Sequence, residues 1–378
     1  MGTTEPKFTL GIEEEYLLVD RETRALVIEP PKNLMSECEE LIGEQVSSEL
    51  LQSQIEVGTK VCKNVQEARV ELRRLRKVIV NVAANHNLAP IAASTHPFSS
   101  WLDQKQTPKD RYEALTVEMQ GAARRLVICG MHVHVGIEND ELRIDLMNQM
   151  SYFLPHLLAL SCSSPFWCGR DTGLKSYRLT IFDALPRTGL PEHFASWAEY
   201  QRHVQILIDA GLIEDSTKIW WDLRPSARYP TLETRVMDVC TRVDDAISLA
   251  AMLVCILRML YRLRTRNQRW RIYTQMLIRE NRWRAMRYSF DEGLVDLARG
   301  VVVPFDELLD EILGLIAEDA EALGCTREVA GVRNILTRGT SAHRQLRDFE
   351  LEQAAGKSVE DSLKAVVDTL ISDTADGL

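Results

Sequence analysis

The chain has 378 residues, 45% of them apolar, which is enough to bury a sizeable core and excludes an intrinsically disordered protein. Acidic residues outnumber basic ones by 55 to 45, a formal charge of −10, which excludes a general nucleic-acid binder that works by neutralising phosphates. Eight cysteines without a CxxC pair, behind an N-terminus (MGTTEPKFTL) with no apolar h-region, fit reduced thiols and a cytoplasmic protein.

In chain order, strands are predicted at 8–19, 53–61, 89–95, 130–137 and 219–240, each bounded by turn residues or by helical patterns. Between them, Asn64 can cap a helix through VQEARVELRRLRKVIVNVAANH, where Val65, Ala68, Leu72, Leu75, Ile79 and Val82 recur at helical spacing. Asp140 can start another that carries Leu142, Leu146, Met150 and Phe153. From Asp244 onward every segment has a helical period, at 244–264, 270–289, 304–323 and 343–355. The longest apolar run, Ala246 to Leu257, stops at Arg258 after about a dozen residues, short of the ~20 a membrane span needs. With no regular β-α-β alternation the expected fold class is α+β, a strand-rich 1–243 and a helix-rich 244–378 forming one domain over 1–378.

Alternate residues of a strand share a face. In GIEEEYLLVD this sets Glu13 and Glu15 against Ile12, Glu14, Tyr16 and Leu18, so Glu14 is expected to point towards helices or solvent. The same parity groups Gln52, Gln54 and Glu56 in QSQIEVGT, and His132, His134 and Gly136 in GMHVHVGI. It also groups Asp222 with Arg224 in WWDLRPS, and Glu233 with Arg235 in TLETRVMD. A merely solvated sheet face draws on Lys, Thr, Ser and Gln, whereas these positions offer four glutamates, two histidines and two arginines, and no lysine. Four carboxylates on one face raise one another's pKa values unless cations sit among them. Magnesium shared between carboxylates and nucleotide phosphates, with arginine at the margin, meets that demand and suits phosphoryl transfer.

Other patterns are weaker. His132-x-His134-x3-Glu138 resembles a cupin metal site, but Asn139 begins a helix-like segment. AAGKS resembles the end of a P-loop, yet Leu351 stands where the first glycine belongs, and Ser358 with Asp361 reads as a helix N-cap. The arginine-dense run from Arg262 to Arg287 reads as a solvated helix face, and His86, His156, His193 and His203 as structural.

Six segments in order, LGIEEEYLLVD, QIEVGTKVC, STHPFSSW, GMHVHVG, WDLRPS with TLETRVMD, and NRWRAMRY, resemble the glutamate–cysteine ligase type 2 family, from about Phe8 to Glu350. The resemblance implies a glutamine synthetase/glutamate–cysteine ligase-like fold, a curved antiparallel sheet whose concave face forms the active-site funnel with helices outside. By similarity Glu13, Glu15, Glu49, Glu56, His132 and Glu233 would be metal ligands, for two or three magnesium ions or manganese. Arg235 would contact the transferring phosphate or acyl phosphate, and Arg224 the nucleotide or a substrate carboxylate. Thr95, His96, Trp101, His134, Arg178 and Arg287 would be substrate-pocket residues. Ser289, after NRWRAMRY, stands where many relatives have glycine, which bears on a local turn.

The activity so implied is ATP-dependent amide formation: the γ-carboxylate of glutamate is phosphorylated by ATP, and an amine such as cysteine displaces phosphate from the acyl phosphate. The expected partners are small molecules, not nucleic acid or membrane, and the expected assembly is a homodimer. Three readings stay open on the sequence: another acceptor amine, a metal-dependent amide or phosphoester hydrolase, and a non-catalytic binding relative. Nucleotide dependence separates the first two, and amine-stimulated ADP release separates the third.

Overall fold

A computed structural model describes residues 4–378. Its centre is a seven-stranded antiparallel sheet of β1 (Leu10–Asp20), β2 (Val46–Ser48), β3 (Gln54–Gly58), β4 (Leu88–Ile91), β5 (Met131–Gly136), β6 (Leu223–Pro225) and β7 (Thr231–Thr234). Six strands run in the order β6-β7-β5-β1-β3-β2, and β4 pairs with the second half of β1. Strand β1 is central because its own period decides it: Leu10, Ile12, Glu14 and Tyr16 are buried while Gly11, Glu13 and Glu15 alternate with them, half-buried, on the open face.

Behind the sheet lie helices α1 (Val65–Asn85), α2 (Asp140–Met150), α4 (Val243–Thr265) and α7 (Val359–Ala375), with a short α3 (Arg178–Phe182), α5 (Gln275–Tyr288) and α6 (Ser341–Ala354) completing the set named here. Asn64, Asn139 and Ser358 cap α1, α2 and α7 by accepting backbone N–H bonds, as the sequence predicts for α1 and α7. Helix α4 passes the length and apolarity test for a membrane span, with mean hydropathy 1.8, which the count from Ala246 to Leu257 misses. Eighty-three per cent of that segment is nevertheless buried inside the fold, and it is the core helix against which α1, α2 and β5 pack. The arginines at its C-terminal end, Arg262, Arg264 and Arg266, are paired with Asp319, Asp145 and Glu318.

Two expectations change. The segment 219–240 is three short strands instead of one, because Asp222 leaves the ladder to bind Arg282 of α5 and a turn fills 226–230. The helix predicted at 304–323 breaks at Ile316, two residues after Gly314. Ser289 has φ 56, the left-handed conformation that glycine favours, and its hydroxyl donates to the Ala159 carbonyl.

Glu14 lies on the helix side and not in solvent. It is fully buried and accepts from Arg76 Nε at 2.7 Å and Nη2 at 2.6 Å, and from the Tyr16 hydroxyl. Arg76 spends its remaining donors on the carbonyls of Cys240 and Thr241, so the pair pins α1 and the segment leading into α4 to the back of β1. Burial opposes the charge on Arg76, but the Glu14 carboxylate overcomes it and holds the guanidinium above its ordinary pKa.

Candidate active site

The strand registers turn the parity pattern into contacts. Glu15 stands opposite Glu56, Glu13 opposite His132, His134 opposite Glu233, and Glu233 opposite Arg224. A diagonal row of side chains therefore crosses β3, β1, β5, β7 and β6 on the open face. Glu49 joins it from the turn after β2 and is in hydrogen-bond contact with Glu56.

Electrostatically the row has two halves. On the β5–β7 side every acid faces basic side chains. Glu13 approaches His132 Nδ1 at 3.2 Å and His134 Nε2 at 3.4 Å, and Glu233 is held by Arg224 Nε at 2.9 Å and by Arg235. Burial pushes both carboxyls up, but the histidines at Glu13 and the arginines at Glu233 keep them well below the usual carboxylate range. His132 is driven down to about 4 by burial and by Arg235, whereas His134 is raised, burial being outweighed by Glu13 and Glu233. On the β1–β3 side the acids lack that balance. Burial and the neighbouring Glu56 raise Glu15 to about 7, and burial with Glu56 and Glu15 raises Glu49 well above its ordinary value.

This donor set fits a hard divalent cation. Three crowded carboxylates want a positive charge among them, and the buried His132 Nε2 has no hydrogen-bond partner among the described residues. Oxygens of Glu13 and Glu233 also lie within 4.8 Å of each other and of a ring nitrogen of His134. The structure thus adds His134 to the groups that could hold a metal, although it is read from the sequence as a substrate residue.

The row separates two hollows. A wide cleft of about 470 Å³ is lined by Glu13, Glu56 and His134, with Val46, Val61 and Lys60 among its walls. A narrower compartment of about 160 Å³ is lined by Glu15, Glu49, His132, Arg178 and Arg235, with Tyr112 and Trp220. Arg178 lies over Gly130, where a Cβ would fall 2.4 Å from its Nη2, so the first glycine of GMHVHVG is what lets the guanidinium close on the site. Arg178 Nε and Arg235 Nε are both buried without a partner among the described residues.

The other sequence-predicted residues sit elsewhere. Arg224 lines neither hollow: Nε and Nη2 go to Glu233 and Nη1 to the carbonyls of Thr217 and Ile219. Thr95 donates to the Phe166 carbonyl in the core. His96 is buried and organises its loop, meeting the Arg24 carbonyl and accepting from the Phe98 and Ser99 amides, and burial lowers it to about 3. Trp101 lines a neighbouring cleft beside Leu50 and Leu51, and Arg287 donates to the Gly173 carbonyl. Tyr112 lies outside the strand pattern that selects the acids, and Trp220, although it shares the parity of Asp222 and Arg224 in WWDLRPS, is apolar and is not singled out by it.

The family described as glutamate–cysteine ligase family 2 matches residues 9–368. A protein of Rhodospirillum rubrum provisionally named glutamate–cysteine ligase 2 is 61% identical over 374 residues, covering 98% of this chain and 96% of that protein. One of Jannaschia sp. with the same provisional name is 55% identical over 366 residues, covering 97% and 96%. Among solved structures, a glutamate–cysteine ligase of Francisella tularensis in complex with AMP superposes with a TM-score of 0.68 at 14% identity, over 100% of this chain and 90% of that one. A bifunctional glutathione synthetase of Pasteurella multocida does so with 0.67 at 16% identity, over 98% of this chain and 53% of that one. These two likenesses show that the fold is the one shared by such enzymes, an α+β architecture around an antiparallel sheet. The chain belongs to glutamate–cysteine ligase family 2, and is by family an enzyme of the ligase class.

Proposed function

We propose that the chain is an ATP-dependent carboxylate–amine ligase that joins the γ-carboxylate of glutamate to an amine such as cysteine through an acyl phosphate. The observation that carries this reading is the acid row with a hollow on either side of it. The wide cleft, with apolar walls and Lys60, suits a nucleotide, and the compartment containing Arg178 and Arg235 suits a carboxylate substrate. Glu13, Glu15, Glu49, Glu56, His132 and Glu233, with His134, would hold magnesium, two or three ions in all and replaceable by manganese. The metal supplies charge neutralisation between the triphosphate and the incoming carboxylate.

In the first step a carboxylate oxygen attacks the γ-phosphorus and the bond to the ADP oxygen breaks. Arg235, beside Glu233 at the margin of the row, stabilises charge on the moving phosphoryl group, and Arg178 holds the substrate. The amine nitrogen then bonds to the acyl carbon, loses a proton and expels inorganic phosphate. Holding the reactants in line supplies much of the rate, so no covalent nucleophile is required. Arg224 acts from behind by fixing Glu233. One apolar core runs from Phe8 to Leu370, which supports a single ligase domain, and eight unpaired cysteines suit the cytoplasm.

The acyl phosphate leaves an isotopic trace. With ¹⁸O in the substrate carboxylate, one label per turnover is expected in inorganic phosphate. Unlabelled phosphate, or turnover without nucleotide, overturns the reading and favours a hydrolase.

A further inference from the structure

Arg282 lies on α5, no residue of which lines either hollow, yet it is 7% exposed and makes four hydrogen bonds to two carboxylates. Nε and Nη2 donate to Asp222 at 2.7 and 3.1 Å, and Nη1 and Nη2 donate to Asp183 at 2.6 and 2.9 Å. Each acid is tied to one arginine of the narrow compartment. Asp183 is the C-cap of α3, whose first residue is Arg178. The Asp222 carbonyl accepts the backbone N–H of Arg235 at 2.8 Å. Arg178 in turn donates from both terminal nitrogens to the Arg235 carbonyl at 3.3 Å, so the contacts close a ring.

We propose that Arg282 is a positioning residue, which by clamping Asp183 and Asp222 together sets the spacing of Arg178 and Arg235 around the substrate's carboxylate and the phosphoryl group it receives. The identity of what those arginines hold rests on the ligase reading above. A planar guanidinium offers two edges and can bind two carboxylates at once; an ammonium keeps the charge but cannot reproduce that fork. A displacement of about 1 Å at a reacting centre costs on the order of 100-fold in rate.

The test is steady-state kinetics of the full chain and of Arg282→Lys with Mg-ATP, glutamate and cysteine, alongside calorimetric binding of glutamate and of ATP. In the variant kcat falls about 100-fold and glutamate KM rises, while KM and affinity for ATP, seated across the acid row, stay at the wild-type values. Combining Arg282→Lys with Arg178→Lys adds little to the larger single loss, because both disturb the same Arg178–Arg235 arrangement. Asp183→Asn, which keeps the shape and removes a charge, gives the same split if Arg282→Lys fails to fold. Unchanged constants in the variants, or a loss confined to the fraction of active molecules, overturns the positioning role alone. Wild-type protein that neither ligates nor binds glutamate overturns the ligase reading and this inference with it.

Discussion

Glu13, Glu14 and Glu15 are one residue type three times in succession, and strand parity alone gives them different work. Glu13 and Glu15 face the hollows, whereas Glu14 neutralises Arg76 behind the sheet. Substitution at each should therefore be read in a different observable. Glu15→Gln or Glu56→Gln removes a proposed metal ligand and should lower turnover by more than the roughly 100-fold typical of a lost outer-shell partner. The metal-free Glu15→Gln protein should be no less stable than wild type at pH 8, because it loses a buried carboxyl raised to about 7. Glu14→Gln should do the reverse. It leaves a buried guanidinium without its counter-ion, at a cost of about 3 kcal/mol in denaturant melts, while turnover per folded molecule stays near wild type. Near-normal turnover of Glu15→Gln at ordinary magnesium would sink the metal assignment, and an unshifted Glu14→Gln melt the structural one.

At the scale of elements, the join after α5 and the β1–β3 edge each carry a measurable consequence. Ser289 ends α5 at φ 56, so Ser289→Ala and Ser289→Gly both lose the bond to Ala159, but only glycine escapes the left-handed penalty. Ser289→Gly should therefore be more stable than Ser289→Ala by about 1 kcal/mol, and equal melts would contradict that. At the β1–β3 edge the sign follows from Glu15. Its pKa is raised from the ordinary 4.5 to about 7, so in metal-free protein its contribution to stability is present below 4.5 and is lost as pH rises through 7. A divalent cation binds the deprotonated form, so the thermal-shift gain from magnesium should be larger at pH 8 than at pH 6. Glu13 and Glu233, held below the usual range, stay ionised across that window. A gain that shrinks with rising pH would contradict the acid cluster as the metal's seat.

Over the whole molecule, what was legible in the sequence is what repeats. The period of two in β1, β3 and β5 identified the open face and most of the acids on it, and helical spacing found α1, α4 and α5 to within a few residues at most ends. What was not legible depends on single long-range contacts. Arg282, not Arg287, is the buried arginine of NRWRAMRY, and only the meeting of α5 with Asp183 and Asp222 distinguishes them. Likewise Arg224 shares parity with the site but is consumed by Glu233 and two carbonyls, and the narrow compartment takes part of its wall from Tyr112 and Trp220, outside the acid strands. On the ligase reading, this face couples ATP cleavage to amide formation. That coupling is tested most directly by incubating the protein with Mg-ATP, glutamate and a panel of amines that includes cysteine, following ADP and product mass together. One ADP is expected for each γ-glutamyl amide formed, and nothing without nucleotide; turnover in the absence of ATP, or ADP release that no amine accelerates, would rule the ligase reading out.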